Sequence, residues 1–289
     1  MKVFKYFFEF IIVVSLFATF KIIGIKNASF IGSFLAKLFG PLLRSKKIIN
    51  KNLKIGFKNI GQDEIKKISF GMWDNIGRTF AEYIFLKDFK KNQNSLIKLN
   101  GKEYLDEIKN DNKPVVFVTG HMSNFELLGT KLDSLGIRFC AIYRPLNNFF
   151  LNPIMEYLRL KYVCPIMIKK GRSGVRELLN KIKSGYSVII LVDQRTSEGK
   201  KIDFFNYPAL TTTIPAQISL KYKCKIVPIR MERHSYNFFE MTIYKPLDYK
   251  ESGNYNKDTD NITLDINKQL EKMILKKPEQ WLWSHNRWK

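Results

Sequence analysis

The sequence predicts an α/β fold: a mixed central sheet flanked by helices, with an N-terminal membrane-associated helix. Three observations carry this. Short runs rich in β-branched and aromatic residues, Val115–Val118, Ile137–Tyr143 and Val188–Val192, read as strands that end in polar residues. Stretches of helical period, such as Leu151 to Tyr162, fall between them, and strands alternating with helices build a layered α/β sheet. A long apolar run, Phe10 to Phe20, lies near the start.

That first run has Ser15 and Thr19 as its only polar members. Extended from Tyr6 to Ile25, it approaches the ~20 residues that a membrane helix needs, with Lys21 placed to snorkel. No small-residue cleavage site follows closely, so an uncleaved anchor is expected, with a buried core helix as the alternative. Leu35, Leu38, Phe39 and Leu42 then recur at helical spacing beside Lys37, Arg44, Lys46 and Lys47. Such a basic amphipathic segment fits an anionic membrane surface, or packs on the core and is followed by solvated charge. Residues 1–45 are therefore expected to form an anchor and amphipathic segment, and 46–289 one domain. Within it, Ile65, Ile68, Met72, Ile76, Phe80 and Ile84 make the core-facing stripe of a helix over Asp63–Phe89. Lys225–Arg230 and Phe238–Tyr244 read as further strands, with helices from Ile214 and from Asn261.

With 289 residues, 45% of them hydrophobic, the chain can bury a substantial core. Its formal charge of +23 favours phosphates, whether on nucleic acid, on anionic lipid or on an acidic carrier protein. Lysines far outnumber arginines, a bias that coding preference can produce. Nucleic acid is not an expected partner, because there is no arginine-rich helix, zinc-ligand array or aromatic ribonucleoprotein motif. The cysteines, Cys140, Cys164 and Cys224, lie far apart and point to a reducing compartment. No Cys-x-x-Cys or His-x-x-x-His spacing calls for zinc. Cys164 is conceivable as a nucleophile beside His121, but a buried thiol is its ordinary reading.

The chemistry concentrates in Pro114 to Glu126. A buried strand breaks at Thr119-Gly120, which leaves His121 at the strand end, and Ser123, Asn124 and Glu126 open a helix. Active groups of open α/β sheets lie at such carboxyl ends. In His-x-x-x-x-Glu, five residues of continuous helix would turn the side chains about 500° apart. A turn followed by a first helical turn can instead bring a carboxylate to one imidazole nitrogen and leave the other free to accept a proton. Ser123-x-x-Glu126 is equally a capping-box pattern, which would account for Glu126 without chemistry. Arg144 ends the next strand, and Asp193, Gln194 and Arg195 end the third, so one face of the sheet can collect all of these groups.

Together these residues resemble the lysophospholipid acyltransferase superfamily, and within it the lipid A biosynthesis (late) acyltransferases. The resemblance rests on His121 to Glu126, Tyr143-Arg144-Pro145, and Asp193-Gln194 followed by Gly199 and Phe204-Phe205. It continues through Thr213-Ile214-Pro215-Ala216, Val227-Pro228 and the segment Pro278 to Trp288. Asn206 stands where the family often has glycine after the Phe pair.

The resemblance implies a glycerolipid acyltransferase-like fold and acyl transfer, of lauroyl or myristoyl type, from acyl-carrier-protein thioester to a lipid A precursor hydroxyl. The reaction would take place at the cytoplasmic face of the bacterial inner membrane, with anionic lipid as a further partner and no cofactor beyond the thioester co-substrate. His121 would be the base and Glu126 its orienter. Arg144, Asp193, Gln194, Phe204, Phe205, Arg172 and Arg287 would serve the substrate: Arg144 on a phosphate or the oxyanion, the Phe pair on the acyl chain. Lys169, Lys170 and Arg172 precede a helix whose N-terminus suits phosphate. His285 is a weaker candidate and His234 reads as a loop residue. A different lipid acceptor (lysophospholipid, mannolipid or ornithine lipid), or a non-catalytic basic membrane-surface protein, are the alternatives.

Overall fold

The computed structural model describes residues 2–289, leaving aside the side chain of Arg172. The chain opens with α1 (Lys2–Leu43), α2 (Lys46–Gly56) and α3 (Gln62–Glu82), followed by a 3-10 turn (Tyr83–Phe85) and the short helices α4 (Leu86–Lys91) and α5 (Gln93–Leu96). The α/β body is β1 (Ile97–Asn100), α6 (Lys102–Asp111), β2 (Val116–Thr119), α7 (Glu126–Ser134), β3 (Phe139–Tyr143), α8 (Asn152–Tyr162), β4 (Met167–Lys169), α9 (Arg172–Lys183) and β5 (Ser187–Leu191). The hairpin β6 (Lys200–Phe204) and β7 (Tyr207–Thr211), then α10 (Ile214–Tyr222), β8 (Ile226–Arg233), β9 (Phe239–Ile243) and α11 (Tyr255–Lys276) complete it. The helix expected over Asp63–Phe89 is thus broken after Glu82.

Seven strands form one sheet in the order β1-β9-β8-β2-β5-β3-β4. All neighbours pair in parallel except β8 and β9, so the sheet is mixed. Strand alternation divides the core in two. Val116, Val118, Cys140, Val188, Ile190 and Ile226 point to the side that α9, α10 and α11 cover. Phe117, Phe139, Ile189, Val227 and Ile229 point to the side of α4, α7 and α8. Strands covered on both faces need apolar side chains at every position, which is why β2 and β5 read as unbroken apolar runs.

The N-terminal anchor and amphipathic segments form one helix with a break in helical geometry at Gly24 (φ 79°, ψ 163°). The expected division at residue 45 falls between α1 and α2, but packing runs across it. Gly32 and Gly77 bring α1 and α3 so close that a Cβ on either would collide with the other's carbonyl oxygen. Asp74 of α3 then accepts from Ser33, Lys37 (3.4 Å) and Arg78 (2.7 Å) beside this crossing. Gly77→Leu should overpack the crossing and cost about 1–3 kcal/mol. The expected outcome is a lower melting temperature in detergent, with Gly61→Ser, at an exposed N-cap that serine also suits, as the control that does not lower it.

Candidate active site

Register creates the site. β2 and β5 are hydrogen-bonded parallel neighbours in which Thr119 pairs with Leu191. His121 and Asp193 each lie two residues beyond those partners, so they leave the sheet side by side. Gly120 makes the approach possible, since a Cβ there would press on the Asp193 carboxyl group at 3.1–3.2 Å. The Asp193 Oδ1 meets His121 Nδ1 at 2.8 Å, and Oδ2 accepts the His121 backbone N–H at 2.8 Å. Burial pushes the Asp193 carboxyl up, but the facing imidazole and these donors outweigh it and hold the group at about 2. It is therefore ionised at neutral pH. Because the folded value lies below the ordinary 3.8, the stability it lends is present at neutral pH and is lost as pH falls toward 2.

A carboxylate on Nδ1 fixes the proton there and makes Nε2 the accepting nitrogen. The imidazole remains 22% exposed, packs edge-on against Phe125 at 4.8 Å, and has the Gln194 amide 3.3 Å from Nε2. An imidazole held this way can take a proton from a hydroxyl, and the neighbouring amide can donate to an oxygen that gains charge.

The carboxylate that orients His121 is Asp193, which corrects the expectation for Glu126. Glu126 is the first residue of α7 and is buried. Its carboxylate accepts from the Tyr83 hydroxyl and from Arg159 Nε at 2.9 Å and Nη2 at 2.6 Å. Burial would lower the Arg159 pKa, but Glu126 and Tyr83 reverse this and raise it, while burial and then Glu126 raise that of Tyr83. The triad therefore closes on itself. The capping box is not formed either. Ser123 sits at φ 54°, its hydroxyl has no partner, and no side chain caps α7.

Other expected residues divide clearly. Asp193 is no substrate ligand, since it is buried and occupied. Phe204 and Phe205 are core: Phe204 stacks on Trp288 at 5.6 Å, and Phe205 packs on Trp283 at 6.2 Å. Neither keeps the surface an acyl slot requires. Phe205-Asn206 is the two-residue loop between β6 and β7 with φ of 55° and 59°, a left-handed turn that asparagine tolerates. Arg287 is fully buried, bonding Leu210 O (2.7 Å) and Thr211 Oγ1 (2.6 Å) under Phe204, and burial lowers it to about 10. It braces the β6–β7 hairpin from within and cannot reach substrate. Arg144 is exposed at the carboxyl end of β3, with no ion pair among the described residues. Arg172 starts α9, but its side chain lies outside the described atoms. Lys169 and Lys170 lie 3.9 Å from Glu156 and Glu198 respectively. Burial pushes the Cys164 thiol up to about 12, which removes it as a nucleophile.

The segment after α11 supplies what the sequence reading missed. Trp281 is buried and its indole donates to Asp193 Oδ2 at 2.8 Å. Backbone pairing of Met122 with Trp281, and of Ser123 N with Gln280 O (2.9 Å), stitches this segment to the histidine loop. His285 Nε2 accepts from Arg195 N at 3.0 Å, and burial lowers the His285 pKa, so it serves as a neutral acceptor. Asn124 donates to the buried Glu82 at 2.9 Å, and Glu82 in turn pairs with Arg233 (2.9 Å). A tryptophan-rich segment was visible as a family-like feature, but no local spacing ties it to Asp193. An open cleft of about 810 Å³ lies apart from His121, lined by Lys47, Lys51, Lys54, Tyr207 and Trp288 among others.

Asp193→Asn should reduce turnover about 10²–10⁴-fold by releasing the imidazole from its tautomer. Trp281→Phe removes one donor from the carboxylate, so the acid limb of the pH–rate profile should move to higher pH. Glu126→Ala strands Arg159, which should cost about 3–5 kcal/mol. Thermal unfolding beside steady-state kinetics separates these outcomes: Glu126→Ala should chiefly lower the melting temperature.

Residues 1–289 match the family described as bacterial lipid A biosynthesis acyltransferase. Among curated proteins the chain is similar to the lipid A biosynthesis palmitoleoyltransferase of Escherichia coli (strain K12), 24% identical over 269 residues, covering 90% of this chain and 84% of that protein. The lipid A biosynthesis acyltransferase of Shigella flexneri matches with the same identity and coverage. The lipid A biosynthesis lauroyltransferase of E. coli (strain K12) is 20% identical over 251 residues, covering 85% of this chain and 79% of that protein. With the match running the whole length of the sequence and through the His121 site, the chain belongs to the bacterial lipid A biosynthesis acyltransferase family.

Proposed function

We propose that this acyltransferase moves a fatty acyl group from an acyl-carrier-protein thioester to a hydroxyl of a lipid A precursor, with His121 as general base and Asp193 as its orienter. The observation that carries this is the His121 Nδ1–Asp193 contact of 2.8 Å, which makes Nε2 the accepting nitrogen, beside the Gln194 amide at 3.3 Å. A hydroxyl attacks a thioester poorly until its proton is removed. His121 Nε2 takes that proton as the oxygen bonds to the carbonyl carbon. The resulting oxyanion draws on the Gln194 amide. Its collapse breaks the carbon–sulfur bond, and the imidazolium returns the proton to the departing thiolate. No covalent enzyme intermediate and no cofactor enter this sequence.

Charge supports the choice of partners. A carrier protein is acidic, and an exposed basic surface favours it, including the cleft lined by Lys47, Lys51 and Lys54. Arg144, unpaired at the carboxyl edge of the sheet, suits a phosphate of the acceptor. The apolar α1 suits attachment to the cytoplasmic face of the bacterial inner membrane. The two E. coli relatives carry different acyl names, so acyl length does not transfer from them.

The test offers the purified protein one acyl-carrier thioester with either a lipid A precursor or a lysophospholipid, and reads product mass. A gain of one acyl chain on the lipid A precursor is expected, falling about 10²–10⁴-fold in His121→Ala. Acylation of lysophospholipid with none on the precursor would replace the proposed acceptor. Unchanged turnover in His121→Ala would remove the proposed base.

A further inference from the structure

The inner face of α1 is fully accounted for by the fold and its outer face is not. Ser29, Ser33 and Lys37 turn toward Asp74 and Arg78 of α3, and the Gly32–Gly77 crossing fixes the helix rotation. That rotation leaves Phe30, Phe34, Leu38 and Leu42 pointing away from the protein at four-residue spacing, with Leu42 80% exposed. Phe70 of α3 continues the surface, and Lys37 lies over its ring at 4.7 Å. In the first half of the helix Phe4, Phe8, Ile11, Ile12 and Ile22 are likewise exposed.

A helix of this length and composition can cross a membrane. Its contacts argue otherwise. Near its start, Tyr6 packs on Phe149 at 5.9 Å, Phe7 and Phe10 pack on Phe150 at 5.5 and 5.9 Å, and Asn148 Nδ2 donates to Tyr6 O at 2.9 Å. Farther along, Phe17 packs on Phe80 at 5.2 Å and Lys21 pairs with Asp88 at 2.8 Å. Tyr6 and Lys21 are about 22 Å apart along a helix, and both rest on the same body. Were α1 to stand across a ~30 Å hydrocarbon core, the loop at 146–151 would be carried deep into lipid while Asp88 stayed near one surface. Irregular backbone exposed to lipid at that depth is not tolerated. Charges are also spread along the helix, at Lys5, Glu9, Lys21, Lys26 and Lys37, rather than gathered at two ends.

We propose that α1 does not span the membrane: it lies in the plane of one leaflet as a platform, its outer face in lipid. Lysines along its edges meet anionic headgroups, as the net charge of +23 favours. Leu146 and Phe149, both exposed, enter the same leaflet beside it. They follow Arg144 at the carboxyl end of β3, so the edge of the sheet that bears His121 faces the headgroup layer.

This rests on the membrane attachment proposed above and is independent of the acyl chemistry. The native cysteines are buried, so single cysteines introduced by Lys2→Cys or Lys58→Cys can be labelled selectively with a membrane-impermeant maleimide. Full-length protein is assayed in sealed right-side-out and inverted membrane vesicles, and by flotation with phosphatidylglycerol-containing vesicles. The expected result is flotation, with both positions labelled from the same side. A bimane on Phe34→Cys should be quenched by brominated lipid. Labelling from opposite sides would overturn the in-plane platform while leaving membrane attachment intact. Failure to float would overturn the attachment itself, and a Phe34 probe untouched by brominated lipid would hand that face to a protein partner.

Discussion

The two oxygens of Asp193 accept from the His121 ring, from the His121 backbone and from the Trp281 indole, so three separate parts of the chain meet at one carboxylate. A buried carboxylate without donors would be costly, so the surrounding elements must deliver theirs together. β2 brings the histidine, β5 brings the carboxylate, and the segment after α11 brings the indole. The order of the sheet, the register of its central pair and the path of the chain after the last helix are all constrained by this one group. The same constraint explains why the site needs so little else: an imidazole fixed in tautomer and direction is already prepared for proton transfer.

Local chemistry made the fold legible. Apolar runs marked β2, β3 and β5, helical periodicity marked α3 and α8, and the alternation of the two gave the class. The strands that escaped notice are β1, β4 and the β6–β7 hairpin, where lysines, tyrosine and proline dilute the apolar signal. In the site, His121 stood out because a polar residue ended an apolar strand. Asp193 stood out in the same way, at the end of another apolar strand, but not as the partner of His121, because it is 72 positions away and only strand order shows that β5 lies beside β2. Sequence proximity favoured Glu126 instead, and Glu126 has its own closed arrangement with Tyr83 and Arg159. Phe204, Phe205 and Arg287 carried a family-like signal that reflects packing, a distinction that burial alone decides.

A lipid-handling enzyme faces two solvents, and the chain divides its apolar residues accordingly. Those of the sheet and of α11 are consumed by the core. Those on the outer side of α1 have no internal counterpart, and they are kept in place by an inner face that joins core residues such as Phe17 and Phe20 to the polar contacts of Ser29, Ser33 and Lys37. Asp74 with its serine, lysine and arginine neighbours thus sets which side of α1 looks outward.

Trp281 follows every strand of the sheet in the sequence, yet it touches the carboxylate at the sheet's centre. During synthesis β2 and β5 can pair, and His121 can meet Asp193, well before the indole leaves the ribosome. Until then the growing chain holds an aspartate with one donor missing, under a loop that lacks its backbone partner at Gln280. A message cut short after α11 would yield a recognisable sheet with an unfinished centre. The centre of the site is thus completed by a part of the chain that is synthesised after every strand of the sheet.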